Sequence, residues 1–395
     1  MHISEKSKKM GLSPIRRFNE LAIKAEERGT KVYRVNIGQP DIATPPCFME
    51  AIRNYDKDVI AYMESRGTDD LVDAVIDYFK RYGIDYEKRN IIITTGGSEA
   101  LQMVFTTILD EGDEVIVADP YYSNYSTFVL SAGGTIGSIK ADAEEGYHYA
   151  ERERIEQAIT DRTRAICCTT PGNPTGDVLT LDEMRMICEI AKEHDLWVIG
   201  DEVYREFVYD DEEPASFGML DEYADRVIIT DSVSKRFSAC GARIGMVISK
   251  NPDIMRGVMK IAQGRLCTST LEQVGAAALY RLGDDYYDEV RKEYKTRRDV
   301  VYEELMKIPG VVCKKPKGAF YVTVKLPVDD IEDFLIFMLN EFSDNGETVM
   351  FAPAGDFYVN PNRGMDKMRI AYVLNAEEMR RSVELIRLGL EAYKK

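Results

Sequence analysis

Apolar positions along the chain fall into two alternating rhythms. Short runs, Val32-Tyr33-Arg34-Val35-Asn36, Ile91-Ile92-Ile93-Thr94, Glu114-Val115-Ile116-Val117-Ala118, Ala165-Ile166-Cys167-Cys168-Thr169, Leu196-Trp197-Val198-Ile199-Gly200, Val227-Ile228-Ile229-Thr230 and Ile244-Gly245-Met246-Val247-Ile248, read as strands. Between them apolar residues recur at three and four, as in Leu71, Val72, Val75, Ile76, Tyr78 and Phe79, in Ala100 to Leu109, and over 181–194, which predicts helices. Ser13-Pro14, followed by Ile15, Phe18, Leu21, Ala22 and Ala25 and closed by Gly29, predicts a capped amphipathic helix. Such alternation predicts an α/β fold with a mainly parallel sheet flanked by helices on both faces. A long Tyr-, Glu-, Lys- and Arg-rich helical pattern between Gly283 and Pro309 reads as a connector. Beyond it, Ala319 to Val324, Phe334 to Leu339, Met350 to Ala352, Met368 to Val373 and a final helix from Ala376 predict a smaller α+β domain.

In a parallel sheet covered by helices, ligands gather at the carboxyl ends of the strands. Five polar groups fall there: Ser98 in the turn Thr95-Gly96-Gly97-Ser98-Glu99, Tyr122 in Asp119-Pro120-Tyr121-Tyr122, Asn173 in Pro171-Gly172-Asn173-Pro174-Thr175-Gly176, Asp201 in Asp201-Glu202-Val203-Tyr204, and Lys235. Lys235 sits among serines, in Ser232-Val233-Ser234-Lys235, with Arg243 eight residues on. A lysine with small neighbours can be desolvated and made nucleophilic for Schiff-base chemistry, and a fixed guanidinium favours an anion such as phosphate. A strand, glycine turn and helix in succession offer backbone N–H groups and the positive end of a helix dipole to the same anion. Taken singly each feature has a plainer reading: an exposed lysine, a turn that binds nothing, and turn chemistry at Gly38-Gln39-Pro40.

Charge and composition narrow the partners. With 51 Lys and Arg against 68 Asp and Glu the chain carries a net charge of −17, which opposes a nucleic-acid partner. No apolar run approaches membrane-spanning length, and the first residues carry no apolar segment behind their basic ones, so a soluble cytoplasmic protein is expected. Seven cysteines without a C-x-x-C pair read as reduced thiols. Three histidines, His2, His148 and His194, lack ligand spacing, so no metal site is expected. The acidic run 210–213 reads as a solvated loop.

The complete pattern Ser-x-Ser-Lys-x-x-Ser-x-x-Gly-x-Arg-x-Gly from Ser232 to Gly245, with Pro-x-Asn-Pro-Thr-Gly and Asp-Glu-Val-Tyr before it, resembles the class I/II aminotransferases of fold type I, which use pyridoxal 5′-phosphate (PLP). The resemblance runs from Asn36-Ile37-Gly38-Gln39-Pro40 to Met368-Arg369-Ile370-Ala371. It implies that Lys235 holds PLP as a Schiff base and moves the proton from the substrate Cα to the cofactor. It implies that Asp201 keeps the pyridine nitrogen protonated, that Asn173 and Tyr204 bond the ring hydroxyl, and that Tyr122 stacks on the ring. Phosphate would rest on Gly97, the Ser98 and Glu99 main chain, Ser232, Ser234 and Arg243, with Tyr62 supplied by a neighbouring subunit of a homodimer. Arg369, with Gly38 and Asn173, would hold the substrate carboxylate, and Arg265 could bind a distal carboxylate or be a surface charge. The implied organisation is a PLP-binding domain over 46–285 and a small domain made of 1–45 and 286–395. The expected activity is transamination between an α-amino acid, with aspartate favoured, and a 2-oxo acid such as 2-oxoglutarate. A C–S β-lyase on the same scaffold, or a non-catalytic PLP-binding regulator, are the alternatives.

Overall fold

The structure, a computed structural model, describes residues 1–11 and 16–393. Twelve strands are present among them: β1 Lys31–Arg34, β2 Ile91–Thr94, β3 Glu114–Asp119, β4 Thr135–Lys140, β5 Thr163–Thr169, β6 Trp197–Asp201, β7 Val227–Ser232, β8 Gly245–Ile248, β9 Tyr321–Lys325, β10 Glu347–Met350, β11 Ala352–Pro353 and β12 Lys367–Ala371. Seven of these form one sheet in the order β2-β8-β7-β6-β5-β3-β4. It is parallel except for β8, which runs antiparallel to both β2 and β7. Why its strands read as unbroken apolar runs is visible in the packing. Ile91, Ile93, Ile116, Ile166, Val198 and Ile229 face one buried cluster, whereas Ile92, Val115, Val117, Ala165, Ile199 and Ile228 face another. With helices over both faces, neither side of a strand needs polar residues.

Helices follow the spacing that announced them. Thr68 caps Asp69–Lys80 by accepting from Leu71 N, and Thr180 with Glu183 forms a reciprocal capping box on Leu181–Glu193. The helix expected after Ser13-Pro14 runs over Asn19–Glu27 and ends at Gly29, whose φ of +88° suits a residue without Cβ. Its expected cap, with Ile15, lies outside the described residues.

A second core is built on β11-β12-β9, all antiparallel, and on β1 paired in parallel with β10. The pairing of β1 with β10 brings the start of the chain to its last third. Helix Asp284–Leu305 links the two cores, since Tyr287 packs in the first while Tyr294, Val301 and Leu305 pack in the second. The acidic run 210–213, expected to be solvated, is tied down in part. Asp210 pairs with Lys295 and with the buried side chain of Arg298, and Glu212 pairs with Lys317.

Candidate active site

A cavity of about 330 Å³ opens at the carboxyl ends of β5, β6 and β7, large enough for a small cofactor with a substrate. One end is built to take an anion. Helix Gly96–Ile108 starts there, and β8 presses on its first turn, because a Cβ on Gly245 would come within 2.4 Å of the Gly96 carbonyl carbon. Gly96, at φ +74°, likewise leaves room for the Arg243 guanidinium, which a Cβ would meet at 2.3 Å. Gly97, Ser98, Ser232, Ser234 and Arg243 all line this end. Main-chain N–H groups at a helix start, two hydroxyls and a guanidinium form an anion cradle. Glu99 is not part of the wall; its carboxylate turns back to accept from Thr95 N at 2.6 Å.

At mid-cavity stand Asp201 and Lys235. Tyr125 donates to Asp201 Oδ2 at 2.6 Å and lies 2.6 Å from Thr169 Oγ1. Burial pushes the Asp201 acid up to about 6, against the pull of the Tyr125 hydrogen bond. Among the described residues no cation forms an ion pair with this carboxylate, which Lys235 favours only as a lesser influence, and a protonated pyridine would supply one. Lys235 Nζ donates to the Gly38 carbonyl at 2.6 Å and lies 3.9 Å from Cys240 Sγ. Tyr122 lines the wall beside Asp201, its phenol pushed up to about 12, mainly by burial.

Arg369 forms the far end. Its Nη1 donates to Asn173 Oδ1 at 3.1 Å and its Nη2 to Asn36 O at 2.6 Å, and its guanidinium carbon lies 4.7 Å from the centre of the Tyr321 ring and 4.9 Å from that of Phe357. Among the described residues its buried Nε has no hydrogen-bond partner. Burial lowers its pKa, as desolvation does for any cation, so an anionic ligand there restores what burial removes. Asn173 Nδ2 approaches the Tyr204 hydroxyl at 3.5 Å, and that hydroxyl lies 2.9 Å from the Tyr321 hydroxyl.

The wall thus gathers Gly38, Gly97, Ser98, Tyr122, Asn173, Asp201, Tyr204, Ser232, Ser234, Lys235, Arg243 and Arg369, from segments spread over the chain. Tyr62 lies outside it, 80% exposed. Arg265 lies outside this chain's cavity too: Nη2 donates to Ile93 O at 3.1 Å and Nε is 3.7 Å from Glu99 Oε1, so the guanidinium braces the start of helix Gly96–Ile108. Tyr321 and Cys240 are wall residues that the sequence pattern did not single out. An anion cradle, a buried carboxylate, an amine and a guanidinium in one cavity fit a phosphorylated pyridine with an amino acid beside it.

Comparison with known proteins agrees. The family model for aminotransferase class I and II matches residues 30–386. An aspartate aminotransferase of Bacillus subtilis is 30% identical over 376 residues, 92% of this chain and 93% of that protein. Aromatic-amino-acid aminotransferase 2 of Thermococcus litoralis is 30% identical over 391 residues, 97% of each. The solved structure of an alanine aminotransferase from Pyrococcus furiosus superposes with a TM-score of 0.90 at 29% identity, covering all of both chains. Sequence, fold and cavity converge: the chain belongs to the aminotransferase class I and II family and is a PLP-dependent aminotransferase.

Proposed function

We propose that the cavity holds PLP with its phosphate in the cradle of Gly97, Ser98, Ser232, Ser234 and Arg243, its ring nitrogen on Asp201 and its aldehyde carbon toward Lys235. The observation that carries this is that Arg243, Asp201, Lys235 and Arg369 line one cavity, with Lys235 meeting Cys240, which accepts from Arg243, on one side and Gly38, which abuts the Tyr321 that carries Arg369, on the other. Bound PLP supplies an electrophilic carbon and a protonated ring that takes up the electron pair left when a substrate Cα–H is broken. Everything else falls to side chains. Asp201 holds the proton on the ring nitrogen, and the pairing offsets the desolvation that otherwise raises its acid. Arg369 orients the substrate by its α-carboxylate, as a planar bidentate donor, with Gly38 and Asn173 beside it. Lys235 would act as the base that takes the Cα proton of the substrate and hands it back after the electron pair has moved. Asn173 and Tyr204 would hold the ring hydroxyl, and Tyr122 would stack on the ring.

Tyr62, too exposed to serve its own cavity, is assigned to the phosphate site of a second copy, with the Glu99 main chain completing the cradle. Exposed Val59 and Ile60, close to it in sequence, and exposed Leu266 supply apolar area for a homodimer. The two cores and the β1–β10 pairing support a PLP-binding domain over 46–285 with a small domain from 1–45 and 286–395. A cytoplasmic location suits the free cysteines. Aspartate is the proposed donor, supported by the names of several relatives. Glutamate formation from 2-oxoglutarate tests it: aspartate should give the highest kcat/KM, and alanine or an aromatic donor exceeding it overturns the donor assignment. Borohydride reduction should fix the cofactor to the peptide containing Lys235; label elsewhere overturns the site.

A further inference from the structure

Tyr321 touches more of this site than any role above requires. It is the first residue of β9, almost fully buried, and its side chain enters the cavity wall. Its ring carries the Arg369 guanidinium at 4.7 Å, and the Phe357 ring is a second aromatic neighbour at 4.9 Å. Its hydroxyl lies 2.9 Å from that of Tyr204 and so close to Gly38 that a Cβ there would fall 1.8 Å from the phenol oxygen. Gly38 is therefore a glycine partly because Tyr321 occupies the space of its side chain. A hydrogen-bonded path runs from Arg369 through Asn173 to Tyr204, and Tyr321 joins both of its ends.

Two phenols 2.9 Å apart share one hydrogen, and the other hydrogen is left for the cavity. Asn173 Nδ2 only donates, so the Tyr204 oxygen is an acceptor on that side already. A cation on the Tyr321 ring draws electron density from its hydroxyl and makes it the donor of the pair. Tyr204 then keeps its own hydrogen to give, and a donor that is itself accepting gives more strongly. We propose that Tyr321 is a positioning residue with two separable parts: its ring holds Arg369 flat for the substrate carboxylate, and its hydroxyl donates to Tyr204 and aims the Tyr204 proton into the cavity. The inference rests on the proposed placement of the cofactor hydroxyl next to Tyr204.

Three variants of the holoenzyme test it, each read by the absorbance titration of the cofactor bound to Lys235 and by the KM of the amino donor. A hydrogen bond into the ring oxygen stabilises its deprotonated form, so weakening that bond makes the chromophore hold its proton to higher pH. Tyr321→Phe keeps the ring, and its titration midpoint should rise by at least about half a pH unit with KM within twofold. Tyr321→Leu should show the same rise and, in addition, a KM about tenfold higher. Tyr204→Phe should raise the midpoint further, and adding Tyr321→Phe to it should then change nothing. An unmoved midpoint in Tyr321→Phe while Tyr204→Phe shifts, or equal KM values in the Phe and Leu variants, overturns the proposal. An unmoved midpoint in Tyr204→Phe overturns the cofactor placement itself.

Discussion

Asp201 and Asp231 stand at the ends of neighbouring strands, β6 and β7, and both border the cavity, yet they are held in opposite ways. Asp231 is answered from within the protein. Arg205 Nη2 and Arg236 Nη2 donate to its Oδ2 at 2.6 and 2.9 Å, and Ser232 N donates to Oδ1 at 2.7 Å. Around those wholly buried arginines stand Glu202, Glu206 and the rings of Tyr78, Phe79 and Tyr82. Asp201, as deeply placed, receives a phenol and the Val203 N–H, and burial keeps its acid near 6. A protein that can wrap one carboxylate in two guanidiniums leaves the next one without either, and the difference marks where a ligand's cation belongs. The self-contained pair also fixes the turn that carries Lys235, since Arg236 is its neighbour in sequence.

The strongest way to break this comparison is to neutralise the unanswered member. Asp201→Asn should lower kcat/KM by about 10²- to 10³-fold, since it removes a charge aimed at the site of the reaction. The same variant sharpens it in the apoprotein. Because the folded-state acid is raised above its usual value near 3.9, folded Asp201 holds its proton where the unfolded chain releases it. The stability contributed by this site therefore falls as pH rises from about 4 to about 6. Melting curves of wild type and Asp201→Asn across that window should show the wild type losing ground to the variant as pH increases; parallel curves would mean that Asp201 is already paired.

Asp231→Ala attacks the answered member. Two buried guanidiniums would lose their shared acceptor, and urea unfolding should show a loss of about 3–5 kcal/mol. A loss below about 1 kcal/mol would show that Glu202 and Glu206 suffice for both arginines.

A third, half-exposed pairing extends the comparison toward the surface with the smallest effect. His148 sits between Asp177 (Nδ1 to Oδ2, 3.0 Å) and Glu183 (Nε2 to Oε1, 2.9 Å), and the hydrogen bond to Asp177, then that to Glu183, raises its pKa to about 10. A raised histidine stabilises fully below the unfolded value near 6.5 and loses that contribution as pH climbs through about 10. His148→Gln should thus cost no more than about 1 kcal/mol at pH 6, given solvent screening, and nothing by about pH 11.

What was legible in the chain divides along the same line. Strand ends and helix starts follow from short-range pattern, so Ser98, Tyr122, Asn173, Asp201 and Lys235 are found by reading where an apolar run stops. Tyr321 escapes because it lies inside such a run, Ala319-Phe320-Tyr321-Val322, where an aromatic residue reads as core. Its one advance signal is Gly38, a glycine far away in sequence. Arg205 and Arg236 escape for the converse reason: charged residues read as exposed, and only folding reveals that Asp231 and a ring of tyrosines cover them. Nor does pattern disclose that β8 runs against its neighbours, because pairing direction depends on segments far apart in the chain.

That reversed strand has a further consequence, for how the molecule is made. β2, apolar on both faces, has β8 as its one strand neighbour among the described residues, and β8 follows it by about 150 positions. At ribosomal speeds the nascent chain holds Ile91–Thr94 without its strand partner for about ten seconds or more. The Arg243 end of the pocket is accordingly among the last features of the large sheet to form, closing only when Gly245 emerges and seats against Gly96.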